Sequence, residues 1–180
     1  MATLFTHPAV ALALRPWLSS LPAQRSILLG GVLLTMLPDA DVVSFVLRIP
    51  YEHMLGHRGL SHSILFAVLA GFVFAWLLRQ RAGFAALWGF GTVCCLSHSV
   101  LDAMTSGGLG VAWLAPFSNE RFFLPWRPIR VSPIGVGFFS PRGVVVILSE
   151  LVWVWLPCLL VMAVGRVWRK RQQMAPDAVK

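Results

Sequence analysis

Charge is scarce in this chain. Only 12% of its 180 residues are charged and only seven are acidic, where soluble domains carry about 25% charge. With 57% hydrophobic residues and a mean hydropathy of +0.75, that scarcity excludes an ordinary soluble domain and points to an integral membrane protein. Cysteine is scarce too: Cys94, Cys95 and Cys158 lie inside apolar runs with no CxxC or other metal-type spacing, so they read as small buried hydrophobes. A nucleic-acid footprint is missing. The net charge is +8, but Arg and Lys are scattered or cluster at segment ends, with no basic face interleaved with exposed aromatics. The start of the chain has no basic stretch followed by a long apolar core, so no cleavable signal peptide is expected. No internal repeat and no low-complexity segment is found.

The long apolar runs are what the chain has in abundance. Leu60–Leu78, Ala82–Leu101 and Gly143–Val164 each approach the ~20 residues that cross a bilayer. Ser26–Leu47 is a fourth candidate, interrupted by Pro38, Asp39 and Asp41, and reads as a broken span or a half-helix. Residues 3–14 are apolar but too short to span, which suits an interfacial or re-entrant helix. The expectation is an all-α integral membrane protein with about four to five hydrophobic helices, some short or broken. It forms one domain over residues 1–166, with a basic, polar and mobile tail over 167–180. The loop 103–142 is rich in Gly, Pro, Trp and Phe, and a loop this long in so small a domain is uncommon unless it is functional.

Basic residues at span ends set orientation. Arg79 and Arg81 separate two spans; Arg166, Arg169, Lys170 and Arg171 follow the last; Arg15 and Arg25 precede the Asp-containing segment. Placing these groups in the cytoplasm puts Asp39, Asp41, His57, His62, His98 and Asp102 together near the opposite face. The expected location is a bacterial inner membrane, with these residues toward the non-cytoplasmic side. Arg121, Arg127, Arg130 and Arg142 in the outward loop run against the rule and need a local task.

The convergent residues stand in short motifs: Pro38-Asp39-Ala40-Asp41, His57-Arg58-Gly59-Leu60-Ser61-His62-Ser63 and His98-Ser99-Val100-Leu101-Asp102. Three of the seven acidic residues fall inside them. His98 and Asp102 are four apart and share a helix face. Gly59 permits a break before the span that begins near Leu60, which places His62 in its first turn. An Asp-x-Asp pair after Pro38 can present two carboxylates to one or two cations. Any one of these groups alone reads as an interfacial cap. Six of them on one side read as a metal site, because ionisable groups inside a membrane are functional by default. Nitrogen and oxygen donors without thiolate suit zinc, manganese or iron, and six ligands leave room for one or two ions.

Glu150 lies well inside the last span. It needs a partner there: an arginine of the 103–142 loop, a metal shell, or a catalytic proton as general base. Arg58 and the loop arginines Arg121, Arg127 and Arg130 suit a phosphorylated head group or a developing oxyanion, or else pair with Glu120 and Glu150 or anchor to lipid phosphates. His7, in Thr6-His7-Pro8, reads by itself as a polar helix start.

These motifs resemble those of the YdjM/YbcI-type membrane-bound, metal-dependent hydrolases. Members carry a Thr-His near the N-terminus, a Pro-Asp-x-Asp, a His-Arg-Gly-x-(Thr/Ser)-His-Ser, and a His-x-x-x-Asp followed by Thr and Gly, matched here by Thr105 and Gly107. The likeness spans most of residues 6–140, and the His-Arg-Gly-Leu-Ser-His-Ser string is its most specific part. It implies a helical multi-span hydrolase and adds His7 to the site residues. It does not name a substrate.

The expected function is therefore metal-assisted hydrolysis of a membrane-associated ester or phosphoester, with a phospholipid or isoprenoid phosphate as the substrate class to screen. The metal would be held by His7, Asp39, Asp41, His57, His62, His98 and Asp102, and Arg58 and Glu150 would serve the chemistry. Two other classes fit the same residues: a metal or small-solute transporter, and a non-catalytic membrane protein with a structural metal. Transporters place their ionisable groups near the midplane between repeats, whereas these lie at one end of the spans.

Overall fold

A computed structural model of the chain describes residues 2–18, 21, 23–133 and 135–174. The α-helices in chain order are α1 (Pro8–Ala13), α2 (Gln24–Met36), α3 (Val43–Val46), α4 (Ile64–Leu78), α5 (Phe84–Ala103), α6 (Pro141–Glu150) and α7 (Leu156–Met174). Among the described residues there is no β-strand, only two isolated bridges, Thr105 to Ile129 and Val111 to Phe122. The fold is all-α, as the composition requires.

Three helical stretches are long and apolar enough to cross a membrane: Gln24–Val46, Phe84–Ala103 and Pro141–Met174. The first is a broken span. Pro38 cannot donate to the carbonyl one turn back, and a 3-10 segment over Leu37–Val42 joins α2 to α3. In the last, α6 passes into α7 through a π-turn at Leu151–Trp155. Pro157 removes one α-helical hydrogen bond just beyond it, and the wider turn absorbs that loss. This helix continues to Met174, so the part of the expected mobile tail that precedes residue 175 is helical. Residues 175–180 lie outside the described residues.

The fourth apolar helix is shorter than the sequence suggests. α4 spans 15 residues, or about 22 Å at helical rise, short of a ~30 Å hydrocarbon core. Its start is displaced to Ile64 because Ser63 is in an extended conformation and its Oγ accepts from Phe66 N at 3.0 Å, an N-cap. His62 therefore does not sit in the first turn of the span. It belongs to a separate 3-10 turn, Leu60–His62, held outside the helix.

α5 is the centre of the bundle, with α2 and α4 packed on it. The α4–α5 contact is close because Gly71 has no side chain: a Cβ there would stand 2.4 Å from Thr92 Oγ1 and 2.6 Å from Thr92 N. Small residues of this kind let membrane helices approach. α1 is not a surface helix. Ala9, Ala11 and Ala13 are buried, and α1 lies against α2 and α7.

Large apolar side chains cover the outside of the long helices, among them Leu29, Leu33, Leu77, Leu160 and Val164. The polar residues lie inside, including His7, His62, His98, Arg58, Asp102 and Glu150. That arrangement suits a lipid solvent and not water. The basic groups that flank the spans meet at one end. Arg81 Nη1 donates to Ser26 Oγ at 3.0 Å at the start of α2, and Arg169 Nε donates to Pro16 O at 3.1 Å. The α2 break, the His62 turn and the end of α5 meet at the other end.

Candidate metal centre

Four elements converge there. The break after α2 supplies Asp39 and Asp41. The turn before α4 supplies His57 and His62. The last turns of α5 supply His98 and Asp102, and the residue ahead of α1 supplies His7. Asp39, His62, His98 and Asp102 are all buried and each offers one ligand atom, with those atoms lying within 4.8 Å of one another. A second set of the same kind consists of Asp39, Asp41 and His57.

The orientation of the two central imidazoles carries the most information. His98 Nδ1 donates to the Thr35 carbonyl at 2.8 Å, leaving Nε2 to face the cluster 3.3 Å from Asp39 Oδ1 and 3.9 Å from Asp102 Oδ2. His62 Nδ1 points at Asp41 Oδ2 at 3.1 Å, leaving Nε2 3.6 Å from Asp102 Oδ2. Metal-bound histidines characteristically give their other ring N–H to a carbonyl or carboxylate in this way. Of the inward atoms, His62 Nε2, His98 Nε2 and both Asp39 oxygens are buried and make no hydrogen bond among the described residues, while Asp102 Oδ2 beside them faces the Arg58 guanidinium. Buried polar atoms are almost always satisfied, so a converging set without partners fits a cation.

The electrostatics agree. Burial disfavours a proton on His62, but the Asp102 and Asp41 carboxylates beside it outweigh burial and hold its pKa up at about 9. A cation entering the cluster must exchange with that proton. His7 is pushed the other way, to about 3, by burial and then by neighbouring His98, so its imidazole is neutral. Its ring stacks on His98 with centroids 3.7 Å apart, and neither of its nitrogens has a hydrogen-bond partner among the described residues.

The family described as YdjM inner membrane protein matches residues 1–173. The chain belongs to the YdjM family. Inner membrane protein YbcI of Escherichia coli (strain K12) is 45% identical over 175 residues, covering 96% of this chain and 100% of that protein. No solved structure matches. Family, relative and long apolar helices agree on an integral membrane protein of the inner-membrane type.

Within this YdjM-family chain, several residues expected to bind metal or substrate also have partners in the protein itself. Asp41 is surrounded by donors: His57 Nδ1 at 2.6 Å, Ser61 Oγ at 2.6 Å and Arg58 N at 3.0 Å, besides His62. It belongs to the second ligand set and also braces His57 and His62. Arg58 is fully buried. Its Nε lies 2.9 Å from Asp102 Oδ2, and its Nη atoms donate to Gly107 O and Thr105 Oγ1, both at 3.1 Å. These contacts hold Arg58 at φ 61°, a left-handed conformation that costs a non-glycine residue about 1–2 kcal/mol. With its guanidinium committed in this way, Arg58 is the counter-ion of Asp102 and is not free to meet a substrate oxyanion.

Glu150 also departs from the expectation. It accepts from the Thr3 backbone N–H, from Thr3 Oγ1 at 2.6 Å and from Thr6 Oγ1 at 2.8 Å. It meets no loop arginine and does not belong to either ligand set; it ties the N-terminal segment, and with it His7, to the last helix. Arg121 braces the His57 loop by donating to the carbonyls of Tyr51, His53 and His57. Arg127 lies over the Phe123 ring at 4.7 Å. Sequence reasoning missed Thr35, which acts through a backbone carbonyl and so leaves no side-chain signal. It also missed Ala2, whose backbone N donates to Asp102 Oδ1 at 3.0 Å. Ser61 stands inside the most specific motif and was readable as a partner of Asp41.

Proposed function

We propose that this chain is a membrane-embedded metal-dependent hydrolase acting on an ester or phosphoester carried by a membrane-associated molecule. The observation that carries the reading is the pair of Nε2 atoms, on His62 and His98, aimed with Asp39 and Asp102 at one shared point by the acceptors fixed behind them, the Asp41 carboxylate and the Thr35 carbonyl. The donor set of imidazole and carboxylate fits zinc first, then manganese or iron. Such an ion supplies a bound water acidified toward neutrality and an electrophile for a carbonyl or phosphoryl oxygen.

The residues divide the remaining work. Asp41 holds His62 in the tautomer that presents Nε2. Arg58 offsets the charge of Asp102. Both oxygens of Asp39 are buried without a hydrogen bond among the described residues, so one can bind the ion while the other accepts the proton of the attacking water. The water oxygen bonds to the ester carbon or phosphorus, and the alcohol leaves with a proton. The arginine distribution supports an orientation with the centre toward the non-cytoplasmic face.

A structural metal is the second reading, favoured by the near-complete burial of His62, His98 and Asp102. Two measurements on detergent-purified protein separate the two: metal content by elemental mass spectrometry, and release of product from phospholipid and isoprenoid-phosphate substrates. The hydrolase reading expects a stoichiometric metal and turnover that both disappear in His98→Ala. A metal-loaded, folded wild type that turns over none of these substrates leaves the structural reading standing.

A further inference from the structure

α2 and α4 both lean on α5 and barely touch each other. A groove of about 590 Å³ runs between them, within the size range of ligand pockets. Leu33 and Leu37 of α2 form one wall, and Leu69, Val73 and Leu77 of α4 the other. The floor is core: Leu34 and Phe74 are buried, and the Phe74 ring lies so close to Gly30 that a Cβ there would stand 2.5 Å from it. All ten lining residues are glycine or apolar.

The groove leads to the metal centre. Its Leu37 end precedes Pro38 and Asp39 in the chain. Phe66, at the matching end of α4, also lines a smaller pocket of about 190 Å³ whose polar wall is Asp41 and Ser61. An apolar trough thus runs toward the side of the cluster on which Asp41 stands. The outer face of α7 offers a contrast, because its hollow at Ala163, Val164, Val167 and Trp168 adjoins none of the cluster residues.

We infer that the α2–α4 groove seats one hydrocarbon chain of a membrane lipid, and that the lipid's head group is delivered through the Phe66–Ser61 mouth to Asp39 and Asp41. The assignment of the head group's destination rests on the hydrolase reading; the seating of the chain does not. The substrate enters sideways from the bilayer and never leaves it. A single chain lying along the groove fits lipids with a long linear hydrocarbon, whether acyl or prenyl, and excludes water-soluble esters as preferred substrates.

The test is photolabelling in nanodiscs of phosphatidylethanolamine and phosphatidylglycerol, with a small fraction of phosphatidylglycerol carrying a diazirine in one acyl chain. Labelled peptides are mapped by mass spectrometry. Label at Leu33, Leu69 and Val73 is expected to exceed, several-fold, label at Leu156, Leu160 and Val164 on α7. Ala70→Phe, which fills the groove and touches no cluster residue, should bring the groove label down to the α7 level with metal content unchanged. Leu33→Trp, at an exposed position, does the same if Ala70→Phe fails to fold. Equal label on both faces, or a label that neither variant reduces, overturns the inference. So do covalent dimers crosslinked through the groove, which would seat a second copy there. Because labelling needs neither metal nor turnover, a groove that labels in a protein that hydrolyses no lipid sinks the hydrolase reading and leaves the groove. Hydrolysis with even labelling does the reverse.

Discussion

Replacing Asp41 with asparagine separates the residues that hold a metal from those that aim them. Asp41 accepts from four groups: His57 Nδ1 at 2.6 Å, Ser61 Oγ at 2.6 Å, Arg58 N at 3.0 Å and His62 Nδ1 at 3.1 Å. An asparagine of the same shape turns one acceptor oxygen into an NH2 donor. His62 can then relieve the clash of donors by moving its proton from Nδ1 to Nε2, the atom that faces the cluster. The ligand is not deleted; its lone pair is hidden part of the time. Loss of an outer partner of this kind lowers metal affinity about 10- to 100-fold, which is about 1.4–2.7 kcal/mol. Asp39→Asn takes the charge from a ligand and leaves only a weak amide oxygen, His98→Ala removes a ligand atom outright, and both should weaken binding much further. A competition titration against a chelator of known affinity, on protein in detergent, reads all three. Equal loss in Asp41→Asn and Asp39→Asn would make Asp41 a ligand and refute the division of roles. An unchanged affinity in Asp41→Asn would refute the orienting argument altogether.

Asp102→Ala should destabilise the fold as well as empty the centre, because it strands the fully buried Arg58. Breaking one side of a buried pair costs about 3–5 kcal/mol, and a double variant with Arg58→Met should recover part of the thermal midpoint in detergent; no recovery would deny the pairing. Glu150→Gln should cost about 1–3 kcal/mol, since it leaves the Thr3 and Thr6 donors imperfectly met, while bound metal is retained. Metal loss at unchanged stability would return Glu150 to the centre. Gly71→Val should force α4 from α5 and cost about 1–3 kcal/mol or more, read as a lowered thermal midpoint; a neutral result would mean the helices repack freely.

The class of fold was legible because hydropathy survives any rearrangement: a chain so poor in charge has to place its long apolar runs in lipid. The convergence of Asp39, His62, His98 and Asp102 was legible because their spacing and the arginine pattern point to one end of the bundle. Local boundaries were less so. Ser63 caps α4 with a single hydroxyl, and that one bond shortens the span and moves His62 out of it. Roles were the least legible. Arg58 and Glu150 look catalytic in a linear reading because an isolated ionisable group in an apolar run demands a partner. Their partners, Asp102 and the Thr3–Thr6 segment, are 44 and 144–147 residues away in sequence, and no periodicity announces contacts of that range.

Charge balance decides how many ions such a centre can hold. Among the described residues of the cluster, Asp39, Asp41 and Asp102 bring three negative charges and Arg58 one positive charge, and ligating histidines must be neutral. Two negative charges remain in a place where His62, His98 and Asp102 are shut away from solvent. Uncompensated charge in such surroundings is strongly unfavourable. One divalent cation cancels it. A second would leave the cluster with two positive charges, and the ligand sets are not independent, because Asp39 belongs to both. The expected stoichiometry is therefore one divalent ion per chain, measured by elemental analysis of protein quantified by amino-acid analysis. Two tightly held ions per chain would refute this, and would require further anions, such as hydroxide or a bound phosphate, to be part of the resting centre.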